Sequence, residues 1–156
     1  VGSEMCIRDR LDAFCNRQRE TLPCIMAGDL NSGPDSSVYE FLATQGVSRG
    51  HPDLQPRHTA QGFPVNVLPD ARQIAHRLPL VSSYASVLGV EPDFTNLTQQ
   101  FRGTLDYIWY DSSAIRCAAV APVPPLEQLT RVGPALPSPQ YPSDHVALIA
   151  DFAFLP

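Results

Sequence analysis

The chain has 156 residues, 44% of them apolar, with a net charge of −5 and a pI near 5.2. Such a composition fits one globular domain or part of one and excludes a disordered polypeptide; the acidic balance excludes a broad basic face for nucleic-acid backbone, so a phosphate ligand would need a local device such as a bound cation or a few placed donors. No apolar run approaches the roughly 18–20 residues of a membrane span.

The chain opens with Val1, and its first ten residues, VGSEMCIRDR, bear no relation to the rest of the sequence. They read as a non-native leader, 1–10, ahead of a domain portion, 11–156. Arg10 to Glu20 predicts a short helix with Leu11, Phe14 and Cys15 on one face. Cys24 to Gly28 predicts a buried strand after Pro23. Ser32-Gly33-Pro34-Asp35 is a turn cluster. Asp35 or Ser36 caps a helix to about Thr44, with Val38, Phe41 and Leu42 inward and Gly46 as its stop.

Arg49 to Arg77 is poorly patterned and predicts loops, with one short helix near Asp70 to His76 and with His51, His58 and His76 at the surface. An apolar pattern resumes over Leu78 to Leu88. Gly103 to Tyr110 alternates as a strand, with Leu105, Tyr107 and Trp109 on one side and Thr104, Asp106 and Ile108 on the other. Ile115 to Ala121 is a second strand candidate. Pro122 to Tyr141 is proline-rich loop with a helical turn at Leu126 to Thr130. His145 to Phe154 is a third strand. Strands separated by helices and long loops, without βαβ regularity, predict a mixed α/β sandwich.

The four cysteines, Cys6, Cys15, Cys24 and Cys117, form no CxxC pair and no zinc spacing, and read as reduced, mostly buried thiols. Asn96-Leu97-Thr98 matches a glycosylation sequon, but no signal peptide accompanies it.

Three polar constellations fall at strand ends. In AGDLNS, Asp29 and Asn31 project together if strand geometry persists past Gly28. A carboxylate can orient or deprotonate water, and an amide can donate to a developing negative charge. An Asx-turn is the other explanation, and for the hexapeptide alone the stronger one. In GTLDYI, Asp106 is costly to bury unless paired, and a histidine would suit it; an edge-strand aspartate facing water is the alternative. In PSDH, Asp144 and His145 can bind a divalent cation or hold a phosphate, or can simply form a turn.

Taken together and in order, AGDLNSGPDSSVYEFL, LPLVSSYASVLGVEPDFTNLTQQFRGTLDYIWY and YPSDHVALIADF resemble the C-terminal half of the endonuclease/exonuclease/phosphatase superfamily, the deoxyribonuclease I fold. Within it they resemble the carbon catabolite repressor type of mRNA deadenylase. The resemblance covers about Leu11 to Phe154, and EPDFTNLTQQFRGTLDYI is its most specific part. It implies a partial four-layer α/β/β/α sandwich and Mg²⁺-dependent hydrolysis, with Mn²⁺ as the alternative cation, releasing 5′-AMP from the poly(A) 3′ end of RNA. By the same resemblance Asp29 activates the attacking water and Asn31 bonds the phosphate. Asp106 orients His145, which bonds the scissile phosphate, and Asp144 belongs to the metal site or its surroundings. Phe101 resembles an aromatic that packs against adenine, a role that competes evenly with core or loop-anchoring packing.

The resemblance also implies a first half carrying a metal-binding Glu, a phosphate-binding Asn and a further His, none of which has a counterpart here. The expectation is therefore a fragment that alone binds Mg²⁺ weakly and hydrolyses little, with one apolar sheet face exposed. Two alternatives stand beside the deadenylase. One is a relative acting on 2′,5′-oligoadenylate or a phosphorylated dinucleotide; the other is a catalytically inactive interaction module. Leucine-rich repeats that dock a scaffold complex in such deadenylases are not found in this sequence, and the resemblance implies a cytoplasmic or nuclear address.

Overall fold

The computed structural model describes residues 22–55 and 75–156, with the backbone of 57–58 and 64–65. Its elements are β1 (Ile25–Asp29), α1 (Ser37–Thr44), β2 (Arg57–His58), β3 (Pro64–Val65), β4 (Leu80–Ser82) and α2 (Ser83–Leu88). Next in the chain come β5 (Asn96–Leu97), β6 (Arg102–Gly103), β7 (Asp106–Asp111), β8 (Ile115–Val120), α3 (Leu126–Leu129) and β9 (Ala150–Phe154). Two compact units divide the chain: Val1–Leu22 with Asp35–Pro79, and Pro23–Pro34 with Leu80–Pro156.

In the first unit α1 forms as its sequence dictates. Ser36 is the N-cap, its hydroxyl accepting from the Tyr39 amide at 3.2 Å. Val38, Phe41 and Leu42 are buried on one face. The helix stops at Gln45, which takes a left-handed conformation (φ 65°) one residue before the expected Gly46. His76 is buried, contrary to its expected surface position. Its Nε2 lies 2.8 Å from the Phe41 carbonyl oxygen, its Nδ1 accepts from the Leu78 amide at 3.1 Å, and its ring meets Phe41 edge-on. Both ring nitrogens are thus bonded, and that is what makes an imidazole tolerable in a core. His51 is half-buried, its Nδ1 accepting from the Asp53 amide. The Arg10 to Glu20 helix, the Asp70 to Ile74 stretch of the short helix and the His58 side chain lie outside the described residues.

The second unit is built on antiparallel pairs. One sheet has the order β1-β7-β4, and β5-β6 and β8-β9 form separate ladders. Tyr107 and Trp109 of β7 are buried, as the alternation predicts. α2 is pinned by Ser83, whose hydroxyl donates to the Ile108 carbonyl (2.7 Å), and by Tyr84, whose hydroxyl donates to the Ala121 carbonyl (2.7 Å). Two apolar clusters fill the unit. Phe94, Leu97, Leu129, Leu136 and Val146 form one, which explains why α3 folds inside a proline-rich loop: Leu129 is its anchor. Tyr110, Ile115 and Cys117 form the other, against Phe152. Neither Cys24 nor Cys117 is in a disulfide.

Three expected elements differ. The Gly103 to Tyr110 strand breaks in two, because Gly103 pairs with Asn96 whereas 106–111 pair with β1 and β4. The His145 to Phe154 strand forms only over Ala150–Phe154. His145 instead makes a single bridge to Asn96, and the Val146 amide donates to the Thr95 carbonyl, so the two ends of the stretch serve different partners. β1, expected to be buried, pairs among the described residues with β7 alone, and Ile25 is 48% exposed. Ile149 and Phe154 are also exposed.

Candidate active site

All the site residues lie in the second unit. β1 and β7 pair so that Asp29 stands directly opposite Asp106. Two carboxylates side by side repel, and the site offsets this with an imidazole. His145 Nδ1 lies 2.8 Å from Asp106 Oδ2. A carboxylate can only accept, so Nδ1 carries the hydrogen and Nε2 is left for another partner. Asp29, Asp106 and His145 each offer one ligand atom within 4.8 Å of the other two. The His145 pKa is raised, chiefly by the hydrogen bond to Asp106 and then by the charges of Asp106, Asp29 and Asp144, while burial works the other way.

Asp29 and Asn31 meet, though not by strand alternation. Asn31 has φ 49°, a left-handed conformation that asparagine tolerates. Its amide donates to Asp29 Oδ1 (2.7 Å) and its Nδ2 to Asp29 Oδ2 (3.3 Å). The Asx-turn and the juxtaposition of functional groups are therefore the same structure, with the turn delivering the amide to the carboxylate. The loop is tied to β7 by the Leu30 amide, which donates to the Leu105 carbonyl (2.8 Å), and by the Tyr107 hydroxyl, which donates to the Ser32 carbonyl (2.8 Å).

Asp144 is held differently. Asn96 Nδ2 donates to its Oδ2 at 3.2 Å, the Leu97 amide donates to its carbonyl at 2.9 Å, and its carboxylate stands outside the three-ligand group. Phe101 follows the β5-β6 turn, where Thr98 Oγ1 accepts from its amide at 2.9 Å. Phe101 is 45% exposed, and its ring lies across Gly103, where a Cβ would meet Phe101 Cζ at 2.8 Å. Phe101 is therefore not a core residue, and Gly103 is the seat of its ring. Sequence reasoning passed over Thr95 and Asn96, both buried and both bonded to site carboxylates. Their one signal is two polar residues between apolar Phe94 and Leu97. A groove of about 460 Å³ lined by Tyr84, Pro92, Arg102 and Glu127 includes none of the site carboxylates or His145, so the chemistry rather than the concavity marks the site.

Asp, Asn and His side chains brought together beside a mixed arrangement of antiparallel strands and helices suit phosphoester hydrolysis, and comparison with known proteins agrees. The endonuclease/exonuclease/phosphatase family model matches residues 3–145, and the chain belongs to that family. It is 35% identical over 134 residues to the CCR4-Not complex 3′-5′-exoribonuclease subunit Ccr4 of Emericella nidulans, covering 86% of this chain and 18% of that protein. It is 34% identical over 153 residues to carbon catabolite repressor protein 4 homolog 1 of Arabidopsis thaliana, covering 86% of this chain and 24% of the relative. The chain thus spans about a fifth of these relatives' length. Among solved structures it resembles ANGEL2, a 2′,3′-cyclic phosphatase, with TM-score 0.67 and 21% identity over 93% of this chain and 49% of that one. The human Nocturnin catalytic domain gives TM-score 0.55 and 24% identity over 97% of this chain and 40% of that one. These likenesses establish the fold.

Proposed function

We propose that this chain is the C-terminal portion, over 11–156, of the catalytic domain of a divalent-metal-dependent 3′-5′ exoribonuclease that shortens poly(A). The observation that carries the reading is the convergence of Asp29, Asp106 and His145, far apart in sequence, within 4.8 Å. The identity to Ccr4 exoribonucleases narrows the substrate class.

In this reading Asp29 accepts the proton of the attacking water. One of its oxygens is fixed by the Asn31 amide, which leaves the carboxylate aimed rather than free. Asn31 Nδ2 has a second hydrogen for a phosphate oxygen as charge builds there. His145, held by Asp106, presents Nε2 to the scissile phosphate, and its raised pKa favours the charged, donating form. Water oxygen bonds to phosphorus as its proton passes to Asp29, the P–O3′ bond breaks with O3′ taking a proton from solvent, and 5′-AMP leaves a shortened RNA with a 3′ hydroxyl. Phe101 offers its open face to an adenine.

The residues fit a hard divalent cation. Carboxylate oxygens are its preferred ligands, Mg²⁺ needs only one or two from protein, and Asp106 Oδ2 is already engaged by two donors. Asp144 would hold Mg²⁺ or Mn²⁺, which would neutralise phosphate charge and reconcile an acidic chain with RNA. By analogy with the CCR4-Not subunits, a scaffold complex would be engaged through regions outside this chain, in cytoplasm or nucleus. No helix among the described residues is long and apolar enough to cross a membrane.

The test is turnover by the full-length protein, read as 5′-AMP release from poly(A) and from 2′,5′-oligoadenylate and as inorganic phosphate release from a 2′-phosphorylated dinucleotide. Poly(A) is expected to be the preferred substrate, with Asp29→Ala and His145→Ala each abolishing turnover. Preference for either other substrate reassigns the activity within the family, and full activity in both variants removes the site assignment.

A further inference from the structure

We infer that Thr95 is a positioning residue for this site: its buried hydroxyl fixes the Asp106 carboxylate in the orientation that His145 requires. The inference rests on the catalytic reading of Asp106 and His145 given above.

Thr95 is fully buried. Its Oγ1 accepts from the Leu105 amide at 2.9 Å and from the Asp106 amide at 3.0 Å. A hydroxyl has two lone pairs and one hydrogen. Both lone pairs are engaged, and the one hydrogen goes to Asp106 Oδ2 at 2.7 Å, the same oxygen that His145 Nδ1 approaches at 2.8 Å. The hydroxyl cannot turn elsewhere without leaving two amides unsatisfied, and a β-branched side chain is stiff at χ1.

A residue that served only to satisfy the two amides would need no more than an acceptor. Thr95 also spends its hydrogen on the carboxylate. Its backbone joins the same parts: its amide donates to the Gly103 carbonyl (3.0 Å), and its carbonyl accepts from the Val146 amide (2.8 Å), next to His145. Its neighbour Asn96 bonds Asp144. The consecutive residues 95 and 96 therefore hold the two carboxylates associated with the consecutive residues 144 and 145. Without the Thr95 hydroxyl, Asp106 is free to rotate about its terminal torsion, and the imidazole follows it.

The experiment is a double-mutant cycle in the full-length protein, read by 5′-AMP release from poly(A) and by the ¹⁵N resonances of the His145 ring. Thr95→Val should lower kcat about 10- to 100-fold, with KM changed by less than about twofold, and Thr95→Ser should restore kcat. Thr95→Val should also redistribute the His145 tautomers when Asp106 is present and leave them unmoved when Asp106 is alanine. A structural role alone would lower the melting temperature without this dependence on Asp106. Wild-type kcat and ring resonances in Thr95→Val overturn the inference, as does an equal change in both backgrounds. If Asp106→Ala and His145→Ala are themselves active, the catalytic reading falls and takes the inference with it; if they are inactive while Thr95→Val is normal, only the Thr95 inference falls. Should Thr95→Val fail to melt cooperatively, Thr95→Cys, a weak donor and acceptor of similar size, replaces it in the same cycle.

Discussion

Replacing Asp106 by asparagine tests the electrostatics of the site directly. The side chain keeps its size and loses its charge. Two hydrogen bonds are at stake, from His145 Nδ1 (2.8 Å) and from Thr95 Oγ1 (2.7 Å). The amide oxygen can still accept from Thr95, so the loss falls on His145. A hydrogen bond between charged partners contributes about 1.5–3 kcal/mol, and solvent screening of two partly open side chains lowers this to about 1–2 kcal/mol. The pH dependence has a defined sign. The His145 pKa is raised by the Asp106 hydrogen bond first and then by the nearby negative charges. A raised folded-state pKa stabilises the protonated fold. That contribution is complete below the ordinary histidine value of about 6.5 and is lost as pH rises through the folded-state value above it. Asp106→Asn should therefore shift the His145 titration, followed by ring proton resonances, downward. It should also flatten the gain in stability that this pair is expected to contribute as pH falls from neutral to mildly acid, followed by urea melts. An unchanged titration would refute the pairing as the cause of the shift.

Other perturbations probe the same geometry. Phe101→Ala removes a stacking surface contributing about 1–3 kcal/mol per base, so KM for poly(A) should rise several-fold or more while the melting temperature stays nearly constant, the residue being 45% exposed. Gly103→Ala puts a Cβ 2.8 Å from Phe101 Cζ and should displace the ring, giving a similar KM effect with no change to the ring itself. Leu129→Ala opens a cavity in the cluster around Phe94, Leu136 and Val146 and should cost about 2–5 kcal/mol in denaturant unfolding. His76→Ala leaves the Phe41 carbonyl and the Leu78 amide without their partner and should cost about 1–3 kcal/mol, with no effect on metal affinity.

Local rules made much of the fold legible. Ser36 as a cap and the Val38, Phe41, Leu42 stripe identify α1 because helix periodicity and capping act within a few residues. β7 declares itself by alternation. What remained hidden depends on distant partners. Nothing near His145 reveals that its backbone joins Asn96 while Ala150 to Phe154 join β8. Nothing near His76 reveals that the Phe41 carbonyl receives it. The exposure of Ile25 in β1 is equally invisible, because burial of an apolar pentapeptide is decided by what covers it.

The candidate site residues stood out through the family resemblance that three segments carry in order, since each motif alone also reads as a turn or an exposed edge. Asp29, Asn31, Asp106, Asp144 and His145 are polar groups placed beside apolar strands, where an unpaired charge is costly. The structure shows how that cost is met: Asn31 serves Asp29, His145 and Thr95 serve Asp106, and Asn96 serves Asp144. Each carboxylate has a donor that also limits its motion. The same bonds that make the acidic cluster tolerable hold it in one geometry, so stability and orientation should fail together at Asp106. At Phe101, which stands outside this network on an exposed turn, they should separate. A variant at Phe101 that loses substrate affinity along with several degrees of melting temperature would contradict that division.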